Sequence, residues 1–326
     1  MNATLATKRD REIASPPKRP WLTHGAGLLW VLVALCLIAG VLSPHFYALA
    51  NIQNVLRQMA LSGLAAIGMV FVLLTAGIDL SVGSITAVVA IVAAFLLSAG
   101  VNHSAVILLA LLCGSGLGAI NGLGVTWGPI PPFIMTLGTM VAYRGLALTL
   151  SKGQPLYVRD MRGFDWLGNG FLLGLPFPVW IFVAVALASW FILRFTILGR
   201  NIYAVGSNHE AARLSGIDVP LTTFLVYVFA GTLAGLTAII FVSRLTVGEP
   251  TLGTGLELEA ISMAVIGGTS LFGGEGSILG AVVGIAVFAV LADVLNLAGV
   301  APYMQQIIKG AVIISAVLVD VRRRRR

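Results

Sequence analysis

Charged residues are scarce in this chain, at 10% of 326 residues, whereas hydrophobic residues make up 58%. A soluble domain carries about 25% charged residues, because its outside must stay hydrated. The composition therefore excludes a water-soluble globular protein and predicts a fold surrounded by lipid. Unpaired strand edges are excluded there, and apolar runs such as residues 88–97 lack the period of two that a barrel strand needs. We predict an all-α, polytopic transmembrane helix bundle.

Motifs of catalysis and of nucleotide binding are also missing. The dipeptide Gly-Lys does not occur, so the chain lacks a phosphate-binding loop of the G-x-x-x-x-G-K-[ST] kind. The four histidines are scattered without metal-ligand spacing. Cys36 and Cys113 lie within apolar runs, where core packing explains them better than a disulfide or a metal. We predict that the chain is not an enzyme and binds no cofactor or metal itself.

Apolar segments that can cross a ~30 Å hydrocarbon core number about ten. They divide the chain into an N-terminal tail (residues 1–26), a transmembrane domain (residues 27–321) and a basic C-terminal tail (residues 322–326). The eighth segment is short and rich in glycine, which makes it the least regular. The predicted spans are residues 28–42, 59–77, 81–99, 104–126, 130–150, 176–195, 221–242, 258–273, 278–296 and 303–320.

Small residues recur at the spacing i, i+4 along several spans, which lets membrane helices approach closely. The pattern predicts a tightly packed bundle. The sets are Gly114, Gly118 and Gly122; Gly231 and Gly235; and Gly280 and Gly284.

Basic residues are distributed unevenly, and in membrane proteins they collect on the cytoplasmic side. Ten spans place both termini and the loop of residues 196–220 on one side. That side carries the basic tails together with Arg194, Arg200 and Arg213. We predict that both termini and this loop lie in the cytoplasm. Basic segments that flank an apolar bundle suit anionic lipid, so a nucleic-acid partner is not expected.

The loop of residues 199–220 contains a short predicted helix at residues 207–216. Its first turn has the S-x-x-E spacing of a capping box, its middle has small apolar residues, and a glycine stands where a helix end favours a left-handed residue. Such a helix either only joins two spans or docks into a groove of a soluble partner. The residues of this segment are Ser207, Glu210, Ala211, Ala212, Leu214 and Gly216.

The string Glu210-Ala211-Ala212-x-x-x-Gly216 resembles the EAA---G signature of the permease subunits of ABC transporters. Residues 211–217 resemble in particular the ribose, xylose and arabinose type, although Pro220 follows Gly216 sooner than in the wider family. The resemblance implies a permease subunit of an ABC sugar importer in the bacterial inner membrane. It implies four partners: an ATP-binding subunit that holds ATP and Mg and docks on residues 207–216, a second permease copy or paralogue, a periplasmic sugar-binding protein, and the small polar solute.

Three further strings resemble the same permeases. In GIDLSVGS (residues 77–84), Asp79 is predicted to cap the helix that begins at Leu80 or Ser81, with a proton- or cation-binding role as the alternative. Gly83 is taken as part of the same turn. Residues 264–279 predict a broken helix and a tight turn, followed by a cap at Ser277. The turn residues are Gly273, Gly274 and Glu275.

The third string, residues 135–155, places polar side chains on one side of an apolar helix. Polar faces inside a membrane look toward a cavity or a neighbouring helix, and the arginine can instead anchor at the interface. The candidate translocation-path residues are Asn121, Thr136, Thr139, Tyr143 and Arg144. The aromatic residues Trp127 and Phe133 are further candidates, with interfacial anchoring as the alternative.

The resemblance implies import of a monosaccharide, with ribose or a similar pentose as the first expectation, driven by ATP hydrolysis on a separate subunit. The alternative is an ion-coupled secondary transporter of a small polar solute, with Asp79, Asp293 or Glu275 as the coupling carboxylate.

Overall fold

The computed structural model describes residues 20–161 and 163–324. Most of these residues are helical, as the all-α prediction requires. Residues 1–19 of the predicted N-terminal tail, Arg162 and the last two residues of the basic C-terminal tail (residues 322–326) lie outside the described part. The helices are α1 (Pro20–Leu42), α2 (Leu49–Leu74), α3 (Val82–Ser98), α4 (His103–Thr126), α5 (Pro132–Ser151), α6 (Trp166–Asn169), α7 (Phe177–Phe195), α8 (Ile197–Ser207), α9 (His209–Leu214), α10 (Val219–Leu245), α11 (Leu256–Ile266), α12 (Ile278–Leu297) and α13 (Pro302–Arg324).

Six of the described helices, α2, α4, α5, α7, α10 and α12, are long and apolar enough to cross a membrane. Residues Gly27–Leu42 of α1 and helix α3 (Val82–Ser98) are apolar but shorter. Helix α1 already begins at Pro20, so residues 20–26 of the predicted tail are helical. The predicted number of about ten membrane-crossing helices therefore stays a prediction.

Helix α10 forms the centre of the bundle and packs against α4, α2 and α3. Its contact with α4 is made at backbone distance: a Cβ atom added to Gly231 would lie 2.4 Å from the carbonyl oxygen of Gly114, and one added to Gly118 would lie 2.3 Å from that of Tyr227. Gly284 of α12 contacts α11 in the same manner. The predicted role of the small residues is confirmed, because any side chain at these positions would force the helices apart.

The 27 residues of α10 separate the two ends of the bundle by about 40 Å at 1.5 Å per residue. Helices α8 and α9, the turn of residues 75–81 and the turn of residues 272–276 lie at the end where α10 begins, which we call the α9 end. Gly168 of α6 lies at the other end, where its N–H donates to Ser243 Oγ of α10 at 2.7 Å.

Four two-residue strands lie in the loops of the end opposite α9. Strands β1 (Leu156–Tyr157) and β4 (Val247–Gly248) pair antiparallel and join the loop after α5 to the segment after α10. Strands β2 (Phe171–Leu172) and β3 (Leu175–Pro176) form a hairpin. Leu173 and Gly174 at its turn both have positive φ angles, 52° and 79°, as a two-residue hairpin loop that follows the strand twist requires.

The predicted eighth span, residues 258–273, is not one continuous helix. Gly248 packs against Ala94 of α3, and Gly253 packs against Gly83 of the same helix, so residues 247–255 descend along α3 by about 16 Å at 1.5 Å per helical residue. Helix α11 then continues toward the α9 end for only 11 residues. We call residues 247–266 the broken segment: its first part is irregular and its second part is helical.

Two predicted turn residues have other roles. Asp79 does not occupy the N-cap position, because α3 begins at Val82 and the capping residue is Ser81. Asp79 Oδ1 instead accepts the N–H of Ser81 at 2.8 Å, within the turn that precedes the helix. Gly83 lies inside the first turn of α3, and its lack of a side chain admits the backbone of Gly253. The sequence showed the polar turn, but it did not show the broken segment that packs against it.

Gly273 and Gly274 do form the predicted tight turn, with φ angles of 84° and 74° that only glycine adopts easily. Ser277 caps α12, since its Oγ accepts the N–H of Gly280 at 3.0 Å. Both predictions are confirmed.

Candidate functional site

The predicted cytoplasmic helix is the second of two consecutive helices. Helix α8 ends at Ser207 and α9 covers only His209–Leu214. The predicted capping box of Ser207 and Glu210 is wrong: Asn208 is the cap, and its Oδ1 accepts the N–H of Ala211 at 2.9 Å. Ser207 instead donates its hydroxyl to the carbonyl of Tyr203 within α8 at 2.8 Å. Gly216 has the predicted left-handed conformation, with φ of 82°.

The outer face of α9 is polar with one apolar side chain. Arg213 donates to both carboxylate oxygens of Glu210, at 2.6 and 3.1 Å. These hydrogen bonds, together with the positive charge of Arg213, hold the pKa of Glu210 below its usual value, so the carboxylate stays charged at neutral pH. Leu214 is 76% exposed. A short, rigid face with a fixed charge pair and a protruding leucine suits a groove on another protein.

The inner face of α9 is held by a small apolar cluster. Val205 of α8, Ala212 of α9 and Val219 of α10 are buried together, with Ala204 and Ile217 against them. We call this group the α8–α10 cluster. The cluster therefore joins three helices and packs α9 against the start of the central helix α10.

Helix α8 also contacts the core of the bundle directly. A Cβ atom added to Gly206 would lie 1.8 Å from the carbonyl oxygen of Leu74, the last residue of α2, and 2.6 Å from the nitrogen of Gly274. Gly274 N–H in turn donates to that carbonyl at 3.0 Å. Tyr203 donates its hydroxyl to the carbonyl of Gly276 at 2.9 Å. Sequence reasoning missed Gly206 and Tyr203, since their importance depends on which segments α8 meets.

Cavities open on both sides of α8 and α9 at the α9 end. One, of about 370 Å³, is lined by His209 of α9, Tyr227 of α10, the residues 75–77 and the Pro-rich residues 129–132. The other, of about 490 Å³, is lined by Gly206, Ser207, Glu275 and their neighbours. The end of α8 therefore borders one cavity, and the first residue of α9 borders the other.

The candidate path residues Thr136, Thr139 and Tyr143 are buried between helices. Thr136 donates to the carbonyl of Ile78 at 3.1 Å, and Tyr143 donates to the carbonyl of Leu117 at 3.0 Å. Asn121 lies in the same region and donates to Ser81 Oγ at 2.7 Å. The structure thus brings Asn121, Thr136 and Tyr143 together around the turn of residues 78–81.

Arg144 is partly buried and binds backbone carbonyl groups of another segment. Its Nη1 donates to the carbonyls of Pro250 and Leu252, at 2.8 and 2.9 Å. These carbonyls belong to the irregular part of the broken segment, whose backbone forms turns, with hydrogen bonds such as that from Leu252 N–H to the carbonyl of Glu249 at 3.0 Å. Irregular backbone inside a membrane protein must find such partners in the protein. Arg144 therefore fixes the broken segment against α5.

The aromatic candidates Trp127 and Phe133 are exposed on the surface of the bundle, at 56% and 50%, and Trp127 stacks on Phe224. The three carboxylates of the ion-coupled alternative lie apart from one another. Asp79 is buried between helices, Glu275 is in the exposed turn at the α9 end, and Asp293 accepts a hydrogen bond from Asn51 near the other end at 2.8 Å.

Comparisons with known proteins identify the family of the chain. Residues 51–317 match the family described as branched-chain amino acid transport system / permease component. The chain is similar to the ribose import permease protein RbsC of Escherichia coli (strain K12), with 43% identity over 93% of this chain and 95% of the relative. The RbsC protein of Bacillus subtilis (strain 168) is 43% identical over 89% and 90%. The D-allose transport system permease protein AlsC of Escherichia coli (strain K12) is 39% identical over 90% of each. No solved structure matches the chain.

Proposed function

This chain belongs to the family of branched-chain amino acid transport system / permease components and is a permease subunit of a sugar ABC importer, and from this premise we propose that its solute is ribose or a similar pentose. The observation that carries the proposal is 43% identity to a ribose import permease over 93% of the chain. Relatives named for allose and arabinose are less similar, at 39% and 36%.

We propose that α9 docks on the ATP-binding subunit of the importer. Its outer face offers the Glu210–Arg213 pair and the exposed Leu214, which together suit a groove with a polar rim and an apolar floor. The ATP-binding subunit holds ATP and Mg, and a periplasmic sugar-binding protein delivers the solute. The family membership favours this ATP-driven scheme over the ion-coupled alternative.

The same contacts provide a route for the motion. A push on α9 reaches α10 through the α8–α10 cluster. It also reaches the end of α2 and the turn of residues 273–276 through Gly206 and Tyr203. Close-packed interiors transmit displacement because they have little space to absorb it. We infer that ATP-driven movement of α9 rearranges α2, α10 and the turn of residues 273–276 together.

We propose that the solute leaves the bundle at the α9 end, next to the cavity between Tyr227 and His209, and that a second permease copy or a paralogue completes the path. Asn121, Thr136, Thr139 and Tyr143 remain candidates for lining it, since they surround the turn from which this cavity begins. In this scheme the α9 end and both termini face the cytoplasm of the bacterial inner membrane.

Uptake of radiolabelled ribose by cells that lack this chain tests the solute and the docking role together. Restoring the wild-type chain is expected to restore uptake, and unlabelled ribose is expected to compete better than allose. Glu210→Lys is expected to reduce uptake at least tenfold while membrane insertion stays normal, because it replaces the charge pair with two like charges.

Asp165→Lys is the matched control, since it reverses an exposed carboxylate at the opposite end of the bundle. It should leave uptake unchanged. Ribose uptake that survives deletion of the chain would refute the solute, and normal uptake with Glu210→Lys would refute the docking role.

A further inference from the structure

Two side-chain oxygens in the centre of the bundle have no hydrogen-bond donor. They are Oδ2 of Asp79 and Oδ1 of Asn121, and both residues are fully buried. An unpaired acceptor costs free energy when it is removed from water, and an unpaired carboxylate oxygen costs most. Neither the coupling of α9 nor the proposed solute path explains this pair.

The two side chains lie on either side of one hydroxyl group. Ser81 donates its Oγ to Asp79 Oδ1 at 2.6 Å and accepts from Asn121 Nδ2 at 2.7 Å. The amide of Asn121 also lies within interaction range of the carboxyl of Asp79. Three groups from one turn and helix α4 are therefore joined head to tail by two hydrogen bonds, with an unpaired oxygen on the group at each end.

No other group in the described part of the chain donates to either unpaired oxygen. Asp79 has no basic partner among the described ion pairs. The titratable groups that face it are Tyr143 from α5 and Tyr227 from α10. Each phenol already donates to a backbone carbonyl, Tyr143 to Leu117 and Tyr227 to Ile78. The donor that would pair with Oδ2 of Asp79 or Oδ1 of Asn121 must therefore be a hydrogen that none of the observed hydrogen bonds already uses.

We propose that Asp79 is a proton-binding site and that its protonated Oδ2 donates to Oδ1 of Asn121. The carboxyl, the amide and the hydroxyl then form a closed ring of three hydrogen bonds. Asp79 donates to Asn121, Asn121 donates to Ser81, and Ser81 donates to Asp79. Each of the two unpaired oxygens gains a partner, and hydrogen bonds in a closed series strengthen one another.

The chemistry of the surroundings favours a proton over a metal ion or a bare carboxylate. A hard cation takes several oxygen ligands, whereas the ring needs only one shared hydrogen. The start of α3 attracts negative charge, but this attraction is small beside the cost of burying an unpaired carboxylate. The proton therefore holds the turn of residues 78–81 to α4 as a neutral unit.

Infrared difference spectroscopy of the purified protein tests the proposal. At neutral pH, Asp79→Asn is expected to remove a carbonyl stretching band of a protonated carboxylic acid that shifts in D₂O. Asp165→Asn, at an exposed carboxylate, should remove only carboxylate bands. Loss of carboxylate bands alone from Asp79→Asn would refute the proposal.

A second variant and a melting series keep the test informative if Asp79→Asn folds poorly. Asn121→Leu removes the acceptor of the proton, so the carbonyl stretching band of the acid should shift to higher wavenumber than in the wild type, and an unshifted band would refute the hydrogen bond to Asn121. Wild-type melting temperature should fall relative to that of Asp79→Asn as pH rises, because the folded wild type holds a proton that the unfolded chain releases. Sodium-dependent melting of the wild type, absent from Asp79→Asn, would instead indicate a metal-ion site and overturn the proposal.

Discussion

Single glycines fix the distances between the helices of this bundle. The central crossing of α10 and α4 has no room for a methyl group at Gly231, where a Cβ atom would lie 2.4 Å from a backbone oxygen. Overpacking a tight contact costs about 1–3 kcal/mol in soluble proteins. The partner here is backbone and cannot rotate away, so we expect the upper part of that range.

Gly231→Ala is therefore expected to lower the stability of the detergent-solubilised protein by about 2–3 kcal/mol, measured by thermal melting. Gly116→Ala is the matched control, because Gly116 lies in α4 with no heavy atom within 4 Å of an added Cβ. That control should be neutral or more stable by about 0.5–1 kcal/mol. Equal melting temperatures for the two variants would contradict the observed helix contact.

Residue roles were predictable where the chemistry is local. Gly216 and Ser277 have the predicted roles because a left-handed residue and a serine cap depend on neighbours in sequence. The sequence offers two neighbouring residues for the N-cap of α9, because Asn208 caps a helix as well as Ser207 does. The structure selects Asn208 because α8, which the sequence did not reveal, uses the Ser207 hydroxyl at its own end.

At the scale of elements, the broken segment shows that a hydrophobic pattern cannot by itself predict an irregular segment inside the bundle. The pattern identified residues 258–273 as short and rich in glycine, but the irregular residues 247–255 before them have no period to detect. Their place in the bundle depends on Gly83, which admits their backbone, and on Arg144, which binds two of their carbonyls. Both partners are far away in sequence.

Arg144→Gln is expected to loosen this segment without unfolding the bundle. Hydrogen bonds from a charged donor contribute about 1.5–3 kcal/mol each. We therefore expect the local stability of residues 247–255 to fall by about 2 kcal/mol. The equilibrium constant for local opening of these residues should then increase roughly thirtyfold. Hydrogen–deuterium exchange of residues 247–255, followed by mass spectrometry, measures this opening.

Arg244→Gln is the control. Arg244 is also half-buried and lies near the end of the bundle opposite α9. Among the described contacts, however, it makes no hydrogen bond to the broken segment, whereas Arg144 makes two. Exchange of residues 247–255 in Arg244→Gln should match the wild type. Unchanged exchange in Arg144→Gln would mean that packing alone holds the segment.

For the whole molecule, composition was enough to predict a helical membrane bundle, and four family-like strings were enough to predict its family. The arrangement that links α9 to the core was not predictable. It depends on Gly206 meeting the end of α2 and on Tyr203 reaching Gly276, which are contacts between distant parts of the chain. Sequence indicated the proposed docking surface, whereas only the fold shows which segments that surface contacts.

The positive-inside rule predicts the orientation of the molecule, and this prediction can be tested at both ends of the bundle. Ser215 directly follows α9, and Gln154 lies in the loop after α5; both are exposed. The ends that carry them are separated by about 40 Å along α10. The two native cysteines, Cys36 and Cys113, are partly buried and can be replaced by alanine to give a background without thiols.

In that background a membrane-impermeant maleimide is expected to label Ser215→Cys in inverted vesicles and not in spheroplasts. Gln154→Cys should show the opposite pattern, because it lies at the end that would receive the sugar-binding protein. Labelling of Ser215→Cys from the outside would place α9 beyond the reach of any ATP-hydrolysing subunit. The docking proposal would then fail, although the bundle, its broken segment and the proton site at Asp79 would be unaffected.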